Sequence, residues 1–345
     1  MTNVFSLLRK DSFLFKLLFF SYFDFNFSRF PSLLEFYSYT FYFHGILCGP
    51  FVHYADYISF IECRNWTRFE MPQSKVKLEP EESGVIGNMA RPSSEIATVR
   101  VQLLHPPKGQ EISEELMPMT HSQLLKSSFK EGFRVFVVAF LCGATNLILA
   151  PFFPISSLTD PEFHANNSFL FKSFFCLGFI QVTKLRYYFA WKYSDAINIF
   201  SGLSYSGITK QGKALWRLTD NIDIREFELG LRFAVHINAW NKTTSNWLRF
   251  MIYDRATWHP TLVTFTVSAL WHGFYPGYYI AFLTAALFLN AVRVVRSVVR
   301  PVMERKTVPR WMYDIVAFIL VRFASGYMAL PFLMMTLKAC FDVYR

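Results

Sequence analysis

The sequence predicts an all-α, multi-pass transmembrane helical bundle, on three observations. The 345-residue chain is 52% hydrophobic and 19% aromatic, with only 17% charged residues and a mean hydropathy of +0.23. Its 40 Phe exceed what the core of a soluble protein of this length can bury. The run from Thr261 to Val292 contains no Asp, Glu, Lys or Arg, and it outlasts the roughly 20 apolar residues that cross a bilayer as a helix.

The elements follow in order. Residues 1–32 form an atypical N-terminal segment: aromatic-rich, but broken by Lys10, Asp11, Lys16, Asp24 and Arg29, a poor match to a signal peptide and a marginal one to a span. The membrane domain occupies 33–345. It opens with an aromatic segment from Leu33 to Ile61, interrupted at Gly49-Pro50. A polar loop at about 62–131 is rich in turn chemistry, including Glu79-Pro80-Glu81-Glu82 and His105-Pro106-Pro107-Lys108-Gly109. Val135 to Phe153 is a charge-free span ended by Pro151 and Pro154.

Phe169 to Phe200 is apolar but carries Lys172, Lys184, Arg186, Lys192 and Asp195, which predicts two shorter helices broken near Lys184-Leu185-Arg186. Ser201 to Asp223 reads as a polar connection. In Ile224–Phe250, Phe227, Leu231, Val235 and Asn238 recur at helical spacing, predicting one amphipathic helix. The charge-free run and a final span, Ile315 to Leu337 with Arg322 inside it, complete the chain.

The formal charge of +10 gathers at the ends of apolar runs, not in a nucleic-acid-binding tract. Arg293, Arg296, Arg300, Arg305, Lys306 and Arg310 follow the longest run, which places that loop on the cytoplasmic side. These cations either set topology alone or also attract an anionic, phosphate-bearing substrate. The five cysteines, Cys48, Cys63, Cys142, Cys176 and Cys340, lack the spacing of a zinc site or a disulfide framework.

Chemistry concentrates in two places. Trp271-His272-Gly273-Phe274-Tyr275-Pro276-Gly277-Tyr278 sets a histidine among helix breakers inside the charge-free run. An ionisable side chain at membrane depth is costly and reads as functional by default. The backbone groups freed at such breaks are tolerated only against protein or a wet cavity. Histidine titrates near pH 6.5 when unperturbed, at about the value a general base needs, so His272 is a candidate base. The structural alternatives are an imidazole bonded to a carbonyl that the break sets free, or one that simply faces other spans.

The second place is Trp240-Asn241-Lys242-Thr243-Thr244-Ser245-Asn246-Trp247, where Trp240, Thr244 and Trp247 have the spacing of one helix face. The Asn241 carboxamide can donate to a developing oxyanion or accept from a substrate hydroxyl. An interfacial helix with aromatic anchors is the alternative there. There is no G-x-S-x-G elbow, phosphate-binding glycine loop, H-E-x-x-H or dinucleotide fingerprint.

Together, Trp240-Asn241-x-x-Thr244-x-x-Trp247-Leu248 and Ser268-Ala269-Leu270-Trp271-His272-Gly273-x-Tyr275-Pro276-Gly277-Tyr278-Tyr279 resemble the membrane-bound O-acyltransferase (MBOAT) family. Within it they look most like the lysophosphatidylethanolamine and lysophosphatidylserine acyltransferases of the lysophospholipid branch. Gly49-Pro50-Phe51 resembles the family's G-P segment, and Tyr187-Tyr188-Phe189-Ala190-Trp191 its Y-Y-x-A-W region. The resemblance implies a helical bundle around a substrate tunnel, with His272 and Asn241 catalytic and Trp240, Thr244, Trp271, Tyr275 and Tyr278 as candidate substrate-binding residues.

It further implies a multi-pass protein of the endoplasmic reticulum membrane that moves an acyl group from acyl-CoA, as co-substrate, to a lysophospholipid, without a bound cofactor or metal. Family members normally carry further spans before the G-P segment and a further terminal helix, so a chain shortened at both ends is expected. A transporter or channel with an intramembrane histidine, or an inactive shortened relative, are the competing readings; the first needs carboxylates beside His272.

Overall fold

A computed structural model describes residues 32–42, 50–65, 120–209, 211–305 and 309–344. Residues 1–31, and most of the polar loop predicted at 62–131, lie outside the described residues. Helices dominate what is described, as the composition predicts. Two short ones, α1 (Leu33–Thr40) and α2 (Tyr54–Ile61), flank the Gly49-Pro50 interruption. Their tyrosines close a small core of Tyr39, Tyr54, Tyr57, Val52 and Leu203.

The long helix α3 (His121–Leu149) begins well before the predicted loop end at residue 131. Its start is fixed by a capping box: the Thr120 hydroxyl accepts from the Gln123 amide (3.3 Å), and the Gln123 side chain accepts from the Thr120 amide (2.9 Å). Two 3-10 turns and the short α4 (Pro161–Asn166) lead to α5 (Phe169–Ser201), which packs along α3. Small residues permit the approach, since a Cβ on Gly132 would meet the Phe200 ring at 2.7 Å and one on Gly143 the Phe189 ring at 2.9 Å. Ser128 donates to the Ile199 carbonyl (2.6 Å) and Asn146 to that of Val182 (2.8 Å), so the two helices run antiparallel.

Helix α5 is unbroken, which corrects the expected split near Lys184. Three of its internal charges are satisfied by residues distant in sequence. Lys184 pairs with Glu228 (2.8 Å), Lys192 with Asp220 (2.8 Å), and Asp195 accepts from Thr219 (2.7 Å). A partnered charge does not have to end a helix to reach water.

The connection after α5 contains a two-stranded antiparallel hairpin, β1 (Tyr205–Ile208) and β2 (Ala214–Trp216), which the sequence reading did not anticipate. The predicted single amphipathic helix over Ile224–Phe250 is instead three short helices and a π turn: α6 (Ile224–Leu229), α7 (Phe233–Ala239), α8 (Lys242–Leu248) and Arg249–Tyr253. Gly230 ends α6, and Trp240-Asn241 ends α7, with Asn241 left-handed at φ 48°.

The charge-free run divides as its breakers predict, into α9 (Pro260–His272) and α10 (Pro276–Arg305). Gly273, at φ 128°, ends α9 in a conformation that residues with a Cβ rarely adopt. Helices α11 (Arg310–Met334) and α12 (Leu337–Tyr344) finish the chain. Among the described residues, three helical stretches are long and apolar enough to cross a membrane: His121–Phe152, Pro276–Val299 and Trp311–Met334.

Candidate active site

His272 closes α9 and lies against rings from two of the spanning helices. Phe282 stacks on it at 5.1 Å, Phe332 meets it edge-on at 5.1 Å, and Tyr278 lies 5.7 Å away. Neither imidazole nitrogen has a hydrogen-bond partner among the described residues. The amide of Gly273 bonds back into α9, to the carbonyls of Ala269 and Leu270 (both 3.2 Å). The second structural alternative, an imidazole facing other spans, describes these ring contacts; the first, an imidazole spent on a freed carbonyl, does not hold for His272 among the described residues. It does hold for His236, whose Nδ1 lies 2.7 Å from the Phe227 carbonyl, and for His164, whose Nε2 lies 2.8 Å from that of Leu158. Burial pushes the His236 imidazole down to about 4, a group built for packing.

The ring cluster around His272 depends on a close approach of α10 and α11. The Gly277 amide donates to the Met335 carbonyl at 2.7 Å. A Cβ there would stand 2.8 Å from the Met335 Cα and nearer still to the Pro331 carbonyl oxygen. Trp271 and Tyr275 are mostly exposed, at 61% and 53%, on the outer side of the break. Of the three aromatic candidates around His272, Tyr278 alone contacts a second helix here, 4.8 Å from Phe332.

Asn241 sits at the opposite end of the α8–π turn–α9 assembly. Its left-handed backbone suits an asparagine, one of the few residues with a Cβ that visit this region readily. Asn221, 2% exposed, organises the turn. Its carbonyl accepts from the Lys242 amide (2.8 Å), its Oδ1 from the Thr243 amide (3.0 Å) and hydroxyl (2.7 Å), and its Nδ2 donates to Asn241 Oδ1 (3.1 Å). Beside it, Lys192 and Lys242 flank Asp220 at 2.8 and 2.6 Å. Burial alone would raise the Asp220 carboxyl, but the two ammonium groups outweigh it and hold it below the ordinary carboxylate value.

Trp240 is not on a helix face with Thr244 and Trp247. It ends α7 before the left-handed turn, whereas the other two belong to α8, so the expected shared face is corrected. Its indole is caged by Trp191 (4.7 Å), Phe227 (4.8 Å), Tyr187 (5.5 Å) and Tyr188 (6.1 Å). The Y-Y-x-A-W region thus holds the Asn241 turn from one side. The G-P segment holds it from another, since the Phe51 amide donates to the Thr243 hydroxyl (3.0 Å) and its ring packs 5.8 Å from Trp247.

From α11, Arg322 reaches the same assembly, donating to the carbonyls of Phe227 (2.5 Å) and Gly230 (3.0 Å) and lying 3.7 Å from Glu228. Glu228 also receives Lys184, Gln181 and the Tyr188 hydroxyl. No hydrogen bond or ring contact joins Asn241 to His272 among the described residues. The π turn packs against both α8 and α9 and links the two ends.

A cavity of about 1330 Å³ opens beside the Asn241 turn, between α3, α5, the hairpin and residues 217–226. Lys192, Asp220, Lys242 and Thr243 are in its wall; Asn241 and His272 are not. The sequence reading missed Asn221, Asp220 and Lys192 as parts of this site. The available signal was a lysine and an aspartate on an otherwise apolar helix, which demands buried partners elsewhere in the chain.

This helical architecture, with helices apolar enough to span a membrane, agrees with comparison to known proteins. The sequence model of MBOAT, the membrane-bound O-acyltransferase family, matches residues 5–330, and the chain belongs to that family. It is 32% identical over 320 residues to membrane-bound glycerophospholipid O-acyltransferase 2 of Rattus norvegicus, covering 92% of this chain and 53% of that relative. Lysophospholipid acyltransferase 6 of Drosophila melanogaster is 30% identical over 317 residues, covering 92% and 38%. Lysophospholipid acyltransferase of Saccharomyces cerevisiae is 29% identical over 329, covering 91% and 47%. The chain spans about half the length of the curated relatives it matches, or less.

Proposed function

We propose that this chain carries the catalytic residues of an acyl-CoA-dependent O-acyltransferase that re-acylates lysophospholipids, of the lysophosphatidylethanolamine or lysophosphatidylserine kind, in the endoplasmic reticulum membrane. The names of the relatives support the acceptor class. The observation that carries the reading is the state of His272: it lies among aromatic rings at a helix break, with neither nitrogen hydrogen-bonded among the described residues.

The reaction balances on these groups. His272 takes the proton of the lysophospholipid hydroxyl as that oxygen attacks the thioester carbonyl. Asn241 assists with its carboxamide. The tetrahedral intermediate collapses, the C–S bond breaks, and the imidazolium returns the proton to the departing CoA thiolate. A general base contributes about 10²–10⁴ in rate, so positioning of both substrates supplies the rest. Lys126, Lys130, Lys213 and Arg217, cationic side chains on the cavity wall apart from the Asp220 cluster, suit an anionic co-substrate. A transporter is disfavoured, because the groups packed on His272 are aromatic and no carboxylate contacts it among the described residues.

The test is expression in microsomes with labelled acyl-CoA and a panel of lysophospholipids. The parent chain is expected to acylate ethanolamine or serine lysolipids above background, and His272→Ala to lose that signal. Equal incorporation by both removes His272 from the mechanism.

A further inference from the structure

We infer that Asn221 is the positioning residue of the site: it caps α8 in place of Asn241 and locks the Asn241 carboxamide with its NH2 group presented as a donor. The inference rests on the acyltransfer reading above for its catalytic consequence, and on geometry for the rest.

An asparagine just before a helix ordinarily bends its side chain back to accept from the first free amides. Asn241 occupies that position before α8 and makes no such bond. The work is done by a residue 20 positions earlier, because Asn221 takes the Lys242 amide on its carbonyl and the Thr243 amide on its side chain. The Asn241 side chain is thereby released from local duty.

The same bonds settle which way both carboxamides face. Oxygen and nitrogen of an amide are hard to tell apart by shape, and orientation follows from partners. A backbone N–H can only donate, so the atom of Asn221 that meets the Thr243 amide must be its oxygen. Its other atom, Nδ2, then faces Asn241 and can only donate, so the Asn241 atom 3.1 Å away must be the oxygen. With one bond already on Oδ1, the wholly unengaged group of Asn241 is its NH2. That nitrogen has no hydrogen-bond partner among the described residues and is not among the buried polar atoms left unsatisfied.

Of the roles open to Asn241, the free NH2 favours donation to charge developing on an oxygen, as on a thioester carbonyl under attack, over acceptance of a hydrogen bond from the acceptor hydroxyl, which would have to share an Oδ1 that Asn221 already engages. Removal of one such donor from an oxyanion site costs on the order of 10²–10³ in kcat. Asn221 touches no substrate in this scheme; it acts through Asn241.

Isosteric variants separate these roles. Asn221→Asp still accepts from Thr243, so α8 stays capped, but it cannot donate to Asn241, whose carboxamide turns its NH2 toward the new carboxylate. The expected result is a kcat for labelled acyl transfer at least about 30-fold below parent, with KM for both substrates within about twofold and a thermal midpoint in detergent above that of Asn221→Ala. Asn221→Ala loses the cap as well, so its midpoint falls. Asn241→Asp keeps the bond from Asn221 but has no donor, and is expected to be as inactive as Asn241→Ala.

Parental kcat in Asn221→Asp, or retained activity in Asn241→Asp, overturns the inference while leaving the acyltransferase reading intact. No transfer by the parent sinks that reading alone. The midpoints still decide the position of Asn221, which is overturned if Asn221→Asp melts as early as Asn221→Ala.

Discussion

Gly277→Ala adds one methyl group where α10 and α11 have no room for it. The Cβ would stand 2.8 Å from the Met335 Cα and 2.9 Å from its carbonyl oxygen, against backbone on both counts, and nearer still to the Pro331 carbonyl. Non-bonded carbons rest at roughly 3.5–4.0 Å, so the helices must part by about 1 Å. Overpacking of this kind costs about 1–3 kcal/mol, and the Gly277–Met335 hydrogen bond at 2.7 Å, worth about 1 kcal/mol, is stretched or lost.

The displacement reaches the candidate base, because Phe332 follows Pro331 and packs 5.1 Å from the His272 ring. A 1 Å misplacement at a reacting group is worth on the order of 10² in rate. Gly277→Ala is therefore expected to lower the thermal midpoint in detergent by several degrees and acyl transfer by roughly 10- to 100-fold. Gly326→Ala is the control: its Cβ would meet only flexible side-chain carbons of Ile180 and Leu177, at 3.4 Å. Parental midpoint and rate in Gly277→Ala would refute a role for this close approach in placing the rings packed on His272.

Arg322→Leu should destabilise by about 3 kcal/mol, since it strands the carbonyls of Phe227 and Gly230 and takes a partner from Glu228; Arg322→Lys should recover less than half, lacking the planar fork. The pH dependence of the thermal midpoint checks His236. Its folded value of about 4 lies below the unfolded value of about 6.5, so the unfolded chain binds a proton that the folded chain refuses. Stability is then full above about pH 6.5 and falls as the pH drops toward 4, by about 3 kcal/mol from this group. His236→Gln should flatten that part of the curve, and an unchanged slope would show that His236 titrates normally.

What the sequence made legible is local. Gly273, Pro276 and Gly277 announce a broken helix, and the break occurs at those residues because each restricts or frees the backbone in a known way. The Thr120–Gln123 capping box was equally readable and would have moved the loop boundary from residue 131 to 120. What was not legible depends on partners far along the chain. Lys184 and Lys192 look like helix breakers until Glu228 and Asp220 are brought to them.

Periodicity over Ile224–Phe250 suggested one helix, yet the caging of Trp240 and the Asn221 bonds favour a left-handed turn at Asn241 over helix continuation. The hairpin strands are four and three residues long, too short to show alternation. For the site, the types of His272 and Asn241 were visible in sequence. Their freedom from local hydrogen bonds, and the dependence of Asn241 on Asn221, were not.

The most direct measurement is a double-variant cycle on initial rates of acyl transfer, using the parent, His272→Ala, Asn241→Ala and the double variant. If the two side chains serve one transition state, each single change costs at least about 10²-fold, and the double variant is no slower than the worse single. Losses that multiply, or a single variant at the parental rate, would contradict the account.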